Sequence, residues 1–211
     1  YVVTAVEDSV LTSRMQVVMD AINSLMVIIL VVISVSVGVY IYSWRQSKKE
    51  LMSLAYQDTV TLGDNFAAFK KKAKSKKDGV GWLIAMDVTD FKLINSTCGV
   101  KKGDEVLRVI WEIFETETGE NELAAHVNAD RFILFWMDEN QENIKQRLEH
   151  VIRKIEEIPE RLEIPNLFPV FGIFHTIVLD EIDPLYGNAV QAKHQIKGRR
   201  DRHYIFYDEL N

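Results

Sequence analysis

Two aspartates, Asp87 and Asp130, are the residues of this sequence best suited to phosphoryl chemistry. Asp87 follows the apolar run 80–86, which has the length of a buried strand. Asp130 lies in the turn NADR at 128–131, between two strand-like segments. If that hairpin pairs beside the strand that ends at Asp87, the two carboxylates would converge on one Mg²⁺, which takes oxygen ligands and shares them with phosphates. The alternative is that an aspartate in either place is a simple turn residue, as is common at such positions.

Apolar residues around these aspartates alternate between strand-like and helix-like spacing. Val106, Ile110 and Phe114 repeat at the spacing of one helix face, and a similar pattern starts at Ile144. Strand-like segments cover 80–86, 123–127, 132–137, 168–174 and 203–207, and helices are expected at 66–77, from 103, from 144 and at 188–195. The sequence therefore predicts an α/β fold in which helices cover a mixed central sheet.

Residues 22–44 form an apolar run, INSLMVIILVVISVSVGVYIYSW, without a charged residue. A helix of roughly 20 apolar residues crosses the bilayer core, so this run predicts one transmembrane helix before the globular domain. Two tyrosines and a tryptophan lie at its far end, where aromatic residues prefer the headgroup region. Arg45, Lys48 and Lys49 follow directly, which predicts that the C-terminal side is cytoplasmic.

The apolar run divides the chain into four parts. Residues 1–21 are expected to be an extracytoplasmic juxtamembrane segment, either a helix that leads into the membrane or a short disordered tail. Residues 45–55 contain good helix formers and predict a cytoplasmic stalk. One globular domain is expected at 56–211. Because the chain starts with Tyr1, we expect that it is a fragment or a processed product.

Charge and cysteine content exclude several classes of protein. The net charge of -6 argues against nucleic acid as the main partner. A single cysteine, Cys98, excludes a disulfide scaffold and a zinc cluster, and it is expected to be a small core residue.

Six lysines lie between Lys70 and Lys77. They predict a solvated helix end, or alternatively a basic patch attracted to anionic membrane lipid, worth about 1 kcal/mol per lysine near the surface. The dipeptide Asp78-Gly79 predicts a turn after them.

Four motifs follow one another along the globular part of the chain. They are LAYQDTVTLGDNF at 54–66, MDVTDFKLINSTCGVKKGDEVL at 86–107, HVNADRF at 126–132 and AVQAKHQIKGRRDRHYIFYD at 189–208. In this order they resemble the GGDEF domain of bacterial diguanylate cyclases, whose signature R-x-G-G-[DE]-E-F stands where this sequence has HVNADRF. The resemblance implies a fold like that of the nucleotidyl cyclases.

Position by position, the resemblance implies a metal site and a guanine site. The ligands of Mg²⁺ would be Asp87, the backbone carbonyl of Val88, and Asp130. The guanine base would bind Asn95 and Asp104. The alternative for this last pair is that they cap and start a helix.

The resemblance also implies a phosphate site. It would consist of the backbone amides of Asp90 and Phe91 and the side chain of Lys193. The arginine that accompanies this lysine in the family is harder to place, and Lys197 or Arg199 could serve. Alternatively, the basic cluster 193–202 is a solvated surface.

The departures from the family pattern affect its catalytic part. Asn128 and Ala129 replace both signature glycines, and the Cβ of Ala129 should crowd a nucleotide. Arg131 replaces the glutamate, so a fixed cation is expected to compensate the two carboxylates and to compete with Mg²⁺. Thr89 stands where the family has its second acidic residue. Asp130 and Arg131 are therefore expected to be vestiges of a catalytic site.

These departures predict a catalytically inactive GGDEF-like module of the cyclic di-GMP system. The apolar run at 22–44 predicts that this module is anchored in the bacterial inner membrane. It would bind GTP and regulate an attached domain, and the resemblance implies that this is an EAL phosphodiesterase domain. The family also implies a homodimer, since active cyclases join two half-sites. One alternative is a weak diguanylate cyclase that condenses two GTP with Mg²⁺. The other is a purely structural dimerisation domain.

Overall fold

A computed structural model describes residues 2–76 and 80–210 of the chain. Contacts divide the chain into two compact units, Tyr1–Met52 and Ser53–Asn211. The turn expected at Asp78-Gly79, and the last of the six lysines, lie outside the described residues.

The N-terminal part of the chain is one long helix, α1 (Val2–Tyr56). The segment expected to lead into the membrane and the segment expected to form a stalk both belong to it. Within residues 12–56, this helix contains a stretch that is apolar and long enough to cross a membrane. Side chains such as Leu30 are largely exposed along it, and an apolar surface of this size requires lipid or a partner to cover it.

In the described part of the second unit, five strands form a single sheet. They are β1 (Gly81–Thr89), β2 (Leu123–Asn128), β3 (Arg131–Trp136), β4 (Phe168–Thr176) and β5 (Tyr204–Phe206). Their spatial order is β2-β3-β1-β4-β5. β1 is antiparallel to both neighbours, whereas β4 and β5 are parallel. The predicted mixed sheet is therefore confirmed.

Helices lie against this sheet. They are α2 (Phe66–Lys74), α3 (Phe91–Cys98), α4 (Val100–Glu117), α5 (Gln141–Glu156), α6 (Ile158–Leu162) and α7 (Ile182–His194), followed by a 3-10 turn at Tyr207–Leu210. The sequence pattern did not predict α3 or α6. Asn65 caps α2 by accepting a hydrogen bond from the amide of Ala68 at 3.0 Å, as its side chain suits it to do.

β1 is buried on both faces, and its side chains alternate between them. Ile84 and Met86 contact the larger core cluster, which includes residues of α4 and α5. Leu83 faces the other cluster, which is built from α2, β2, β3 and α7. Asp87 has the same parity as Leu83, so its side chain points to the α7 side of the sheet.

The expectation that the strand ends at Asp87 is wrong by two residues. β4 pairs with β1 as far as Thr89, opposite Phe168, so Asp87 lies within the strand opposite Val170. Pairing with β3 stops earlier, at Met86 opposite Phe132. On the β3 side, Asp87 therefore lies just beyond the last paired residue, next to the β2–β3 turn.

Gly172 in β4 sets how closely α7 approaches the sheet. A Cβ at this position would collide with the carbonyl oxygen of Ala189 and the backbone amide of Lys193. We expect Gly172→Ala to destabilise the domain by about 1–3 kcal/mol, because backbone atoms must move to relieve the clash. Chemical unfolding followed by tryptophan fluorescence measures the change.

The matched control is Gly187→Ala in the exposed part of α7. No atom lies within 4 Å of a Cβ at Gly187, so alanine should stabilise the helix by up to about 1 kcal/mol. If both variants were equally stable, close helix packing at Gly172 would not be a constraint on this fold.

Candidate functional site

The structure brings Asp87 and Asp130 together at one end of the sheet. β1 and β3 are antiparallel neighbours, so the turn that precedes β3 lies beside the residues that follow Met86 in β1. The backbone amide of Val88 donates a hydrogen bond to Oδ2 of Asp130 at 3.2 Å. The hairpin thus brings the second carboxylate to the same end of the sheet as Asp87.

Asp87 is buried, with 2% of its surface exposed, and each of its carboxylate oxygens is bound to a lysine. Oδ1 forms an ion pair with Nζ of Lys193, a fully buried residue of α7. Oδ2 lies 2.9 Å from Nζ of Lys197. Burial raises the pKa of Asp87, but these two ammonium groups outweigh it and hold the pKa below its ordinary value. Asp87 is therefore ionised and already compensated.

Asp130 is compensated less completely, by hydrogen bonds and by the nearby charge of Lys197. Burial, and then the negative charge of Asp87, raise the pKa of Asp130 above its ordinary value. Its hydrogen bond from the amide of Val88 only partly offsets this. The two carboxylates of the site consequently differ in character, since one is tightly paired and the other is disfavoured as an anion.

The expectation that Arg131 compensates these carboxylates is wrong. Arg131 is exposed at the start of β3, and its Nε donates a hydrogen bond to Oδ1 of Asn128 at 2.7 Å. Lysines 193 and 197 pair with Asp87 instead. The reason is position, because α7 passes over the face of β1 on which Asp87 lies, whereas Arg131 closes its own hairpin.

The β2–β3 turn is tight, and Ala129 adopts a left-handed conformation with φ of 50°. This is the conformation for which glycine is suited, and a Cβ there adds strain. The alanine that replaces a signature glycine thus keeps the glycine-like backbone. Its neighbour Asn128 uses its side chain to hold Arg131.

The residues present do not fit a bound Mg²⁺. Both oxygens of Asp87 are engaged by ammonium groups, and Thr89 is neutral where a further carboxylate would help. Among the described residues, no group of three or more histidine, cysteine or carboxylate side chains is placed to hold a metal ion. A divalent cation would have to displace at least one lysine from Asp87 and then share the site with it.

The two guanine-site candidates lie on adjacent helices. Asn95 is in the middle of α3, and its Oδ1 is buried without a hydrogen-bond partner in the described structure. A Cβ on Gly103 would collide with this oxygen, so glycine leaves room for the amide beside Asp104. The alternative that these residues cap and start a helix is wrong, since Gly99 is the N-cap of α4 and the helix begins at Val100.

The phosphate-site candidates are only partly brought together. Asp90 is the N-cap of α3 with φ of 60°, and its Oδ2 binds Arg200 at 2.8 Å. Phe91 is buried. Lys197, not Arg199, reaches Asp87, and Arg199 is exposed. The alternative of a solvated basic surface holds for the exposed members of the cluster but not for Lys193, which is fully buried.

Sequence reasoning missed two residues near this site. Tyr186 on α7 has a buried hydroxyl without a hydrogen-bond partner in the described structure. Burial raises the pKa of Tyr186 to about 12, against the opposing charge of Arg131. His126 contacts the carbonyl of Ala129 and the carboxylate of Asp58. The sequence did carry a signal for His126, because this histidine stands at the first position of HVNADRF, where the family has arginine.

The fold and these motifs define a domain of the cyclase type, and comparison with known proteins agrees. Residues 55–201 match the family model described as diguanylate cyclase, GGDEF domain, and the chain belongs to this family. A diguanylate cyclase of Vibrio cholerae is 26% identical over 158 residues, which are 71% of this chain and 49% of that protein. The chain therefore spans about half the length of that relative.

Solved structures that share the fold include the following two. The coiled coil and GGDEF domain of DgcB from Caulobacter crescentus, in complex with c-di-GMP, aligns with a TM-score of 0.66 at 19% identity, covering 80% of this chain and 94% of that one. The S helix-GGDEF-EAL part of LapD from Vibrio cholerae, bound to c-di-GMP, aligns with a TM-score of 0.65 at 17% identity, covering 81% and 42% respectively.

The ion pair of Asp87 with Lys193 predicts a large stability difference between two similar substitutions. Asp87→Asn leaves the ammonium of Lys193 buried without its counter-charge and should cost about 3–5 kcal/mol. Asp130→Asn should be neutral or stabilising at neutral pH, because it removes a disfavoured anion and its amide oxygen can still accept from Val88. Urea unfolding at neutral pH measures both.

Because the folded-state pKa of Asp87 is lowered, its contribution is present at neutral pH and is lost as the pH falls through that pKa. The control is Asp183→Asn, which breaks an exposed pair with Lys70 and should change stability by less than about 1 kcal/mol. A larger loss in Asp130→Asn than in Asp87→Asn would contradict this account of the site.

Proposed function

We propose that this chain is a membrane-anchored, catalytically inactive GGDEF domain of cyclic di-GMP signalling. Its role is to bind GTP and regulate an attached domain. The observation that carries this proposal is the state of Asp87, whose two carboxylate oxygens are each bound by a lysine ammonium. Condensation of two GTP molecules needs a metal to activate the 3′-hydroxyl and to neutralise charge on the phosphates.

The electrostatics of the site support the absence of cyclase activity. Asp87 contributes a negative charge that Lys193 and Lys197 balance, and Asp130 is disfavoured as an anion. Arg131 adds a further positive charge near enough to affect the pKa of Tyr186. A site that is already balanced has little attraction left for Mg²⁺, whose binding depends on carboxylate charge.

The geometry of the signature turn supports the same conclusion. Ala129 has the left-handed backbone conformation to which glycine is suited. In the family, glycine at this position lets the backbone approach the nucleotide closely. The Cβ of Ala129 takes up part of that space. A tighter turn with two glycines would leave this space free.

The anchor and its orientation rest on α1. Its apolar portion is long enough to span a bilayer, and Arg45, Lys48 and Lys49 follow that portion directly. Positive charge on this side favours a cytoplasmic location for the GGDEF domain, in the inner membrane of a bacterium. The cation of Lys48 lies 5.1 Å from the ring centre of Trp44, an aromatic and basic pair suited to the lipid headgroup region.

GTP binding without turnover would suit a regulatory role. Asn95 offers a buried oxygen that lacks a partner, and Asp104 lies one residue from the glycine that faces it. The S helix-GGDEF-EAL architecture of the LapD structure suggests the kind of domain that would respond, an EAL domain attached to the GGDEF domain. A homodimer joined through two such domains is part of the same proposal.

One observation favours a second candidate, a weak diguanylate cyclase. Asp130 lies close to Asp87, because its Oδ2 accepts a hydrogen bond of 3.2 Å from the amide of Val88, the residue that follows Asp87. Lys197 is half exposed and could leave Asp87 when a nucleotide and metal arrive. Two carboxylates would then be available to one ion.

A direct assay separates the two candidates. The full chain in detergent is incubated with GTP and with Mg²⁺ or Mn²⁺, and cyclic di-GMP is measured by chromatography beside an active cyclase. We expect no product above background, because Asp87 is neutralised by lysine. Product formation that is abolished in Asp87→Ala would overturn the proposal and establish the weak cyclase.

Calorimetric titration with GTP tests the binding part of the proposal. We expect saturable binding that does not require Mg²⁺ and that falls at least about tenfold in Asn95→Ala and Asp104→Ala, since each removes a polar contact worth about 1.5 kcal/mol. Thr116→Ala is the matched control, because this exposed residue lies near the far end of α4. No binding by the wild-type chain would leave a structural dimerisation domain.

A further inference from the structure

His126 is a buried histidine between two acceptor groups. Only 2% of its surface is exposed. Its Nδ1 lies 2.9 Å from Oδ1 of Asp58, a close contact that is not aligned as a hydrogen bond. Its Nε2 lies 2.9 Å from the carbonyl oxygen of Ala129. The ring also packs against Phe132, with ring centres 4.8 Å apart.

This geometry favours one protonation state of the ring. A neutral imidazole carries one N–H, so one of its nitrogens would present a lone pair to an oxygen at 2.9 Å. Only the imidazolium has an N–H for the carbonyl of Ala129 together with a positive charge beside the carboxylate of Asp58. Whichever proton a neutral ring keeps, it loses its favourable contact either with Asp58 or with Ala129.

Asp58 anchors the first side of this contact. It organises the loop 57–64 that follows α1, because its Oδ1 accepts hydrogen bonds from the amides of Val60 and Thr61 at 3.0 and 2.8 Å. Burial raises the pKa of Asp58, but these bonds and His126 together hold it below its ordinary value. Asp58 is therefore an anion that lies against the ring.

The loop is tied to the last turn of α1. Asn65 donates from its side chain to the carbonyl of Ala55 at 3.1 Å, and its amide donates to the carbonyl of Tyr56 at 3.1 Å. The amide of His126 donates to the carbonyl of Asp64 at 2.9 Å. Hydrogen bonds thus run from the end of α1 to β2, and His126 extends them to the signature turn.

The other charged groups on the surrounding elements are already engaged. Asp64, at the end of the loop, pairs with Lys72 of α2. Arg108 of α4 donates to the carbonyl of Val60 at 3.0 Å. Arg131 at the start of β3 holds Asn128, and Asp130 of the turn accepts from Val88. The carboxylate of Asp58 is the charge in direct contact with the ring.

We infer that His126 is a protonation-dependent link between the loop 57–64 and the turn 128–131. The protonated ring holds the carbonyl of Ala129 to the anion of Asp58, and loss of the proton releases one side. The turn that carries Asp130 is then less firmly attached to the segment that ends α1. This link is a property of the fold and does not require that the domain binds GTP.

Hydrogen exchange of the full chain in detergent tests this link. Exchange is compared at about pH 5 and about pH 8, the range over which an imidazole changes charge, after correction for the intrinsic pH dependence. Peptides that cover the turn 128–131 should lose protection several-fold at the higher pH. Peptides from α5, which does not contact His126, should keep theirs.

Substitutions then assign the effect to the ring. His126→Arg retains a permanent cation and should keep the turn protected at both pH values. His126→Gln and Asp58→Asn should leave it exposed at both. His203→Gln is the matched control, because His203 also lies between a carbonyl, that of Pro169 at 2.9 Å, and a carboxylate, that of Glu156 at 3.2 Å.

Several results would overturn the inference. One is equal protection of the turn at both pH values in the wild-type chain, a comparison that needs no variant. Another is a pH response that survives in His126→Gln. A third is its disappearance in His203→Gln, which would move the origin to a different histidine. GTP binding and cyclase assays are unaffected by these outcomes, so a failure here is distinct from a failure of the proposed function.

Discussion

A carboxylate buried in the central strand of a sheet must be compensated, and the pairing of Asp87 with Lys193 and Lys197 meets this requirement. The pairing depends on how closely α7 approaches the sheet, which Gly172 permits by having no side chain opposite the backbone of Lys193. Strand register, helix position and charge balance are therefore one arrangement. Removing one partner of the ion pair leaves a buried charge unpaired. Adding a side chain at Gly172 would make it collide with the backbone of α7.

The same arrangement limits the chemistry of the site. Phosphoryl transfer with a metal needs carboxylate oxygens that are free to bind it, and in this chain the lysines hold them. Asp130 remains beside the site, but burial and the charge of Asp87 disfavour its anion. The domain thus keeps the framework that positions a nucleotide cyclase site, but the charged side chains of the site pair with one another. His126 ties the turn of that framework to the loop after α1 by a contact that depends on a proton.

Most regular elements could be predicted because their apolar residues repeat with the period of a strand or of a helix face. The helix α3 could not, because it has eight residues and an N-cap, Asp90, that makes no side-chain capping bond. The predicted end of β1 is two residues too early, because an aspartate is unusual inside a buried strand. Its pairing with β4 out to Thr89 is a long-range property. The candidate metal-binding and nucleotide-binding residues could be predicted from the motifs and their order. The hydrogen-bond and ion-pair partners of each side chain could not.

The sequence by itself determined the long apolar helix, the mixed α/β class, the family and the positions where the signature departs from it. These follow from local periodicity and from motifs in a fixed order. Only the tertiary structure decided which cation compensates Asp87. Arg131 is nearer to Asp130 in sequence, but its side chain turns back to Asn128, whereas Lys193 of α7 and Lys197 of the turn after α7 lie more than a hundred residues after Asp87. Electrostatic pairing depends on distance in space, and the packing of α7 on β1 sets that distance.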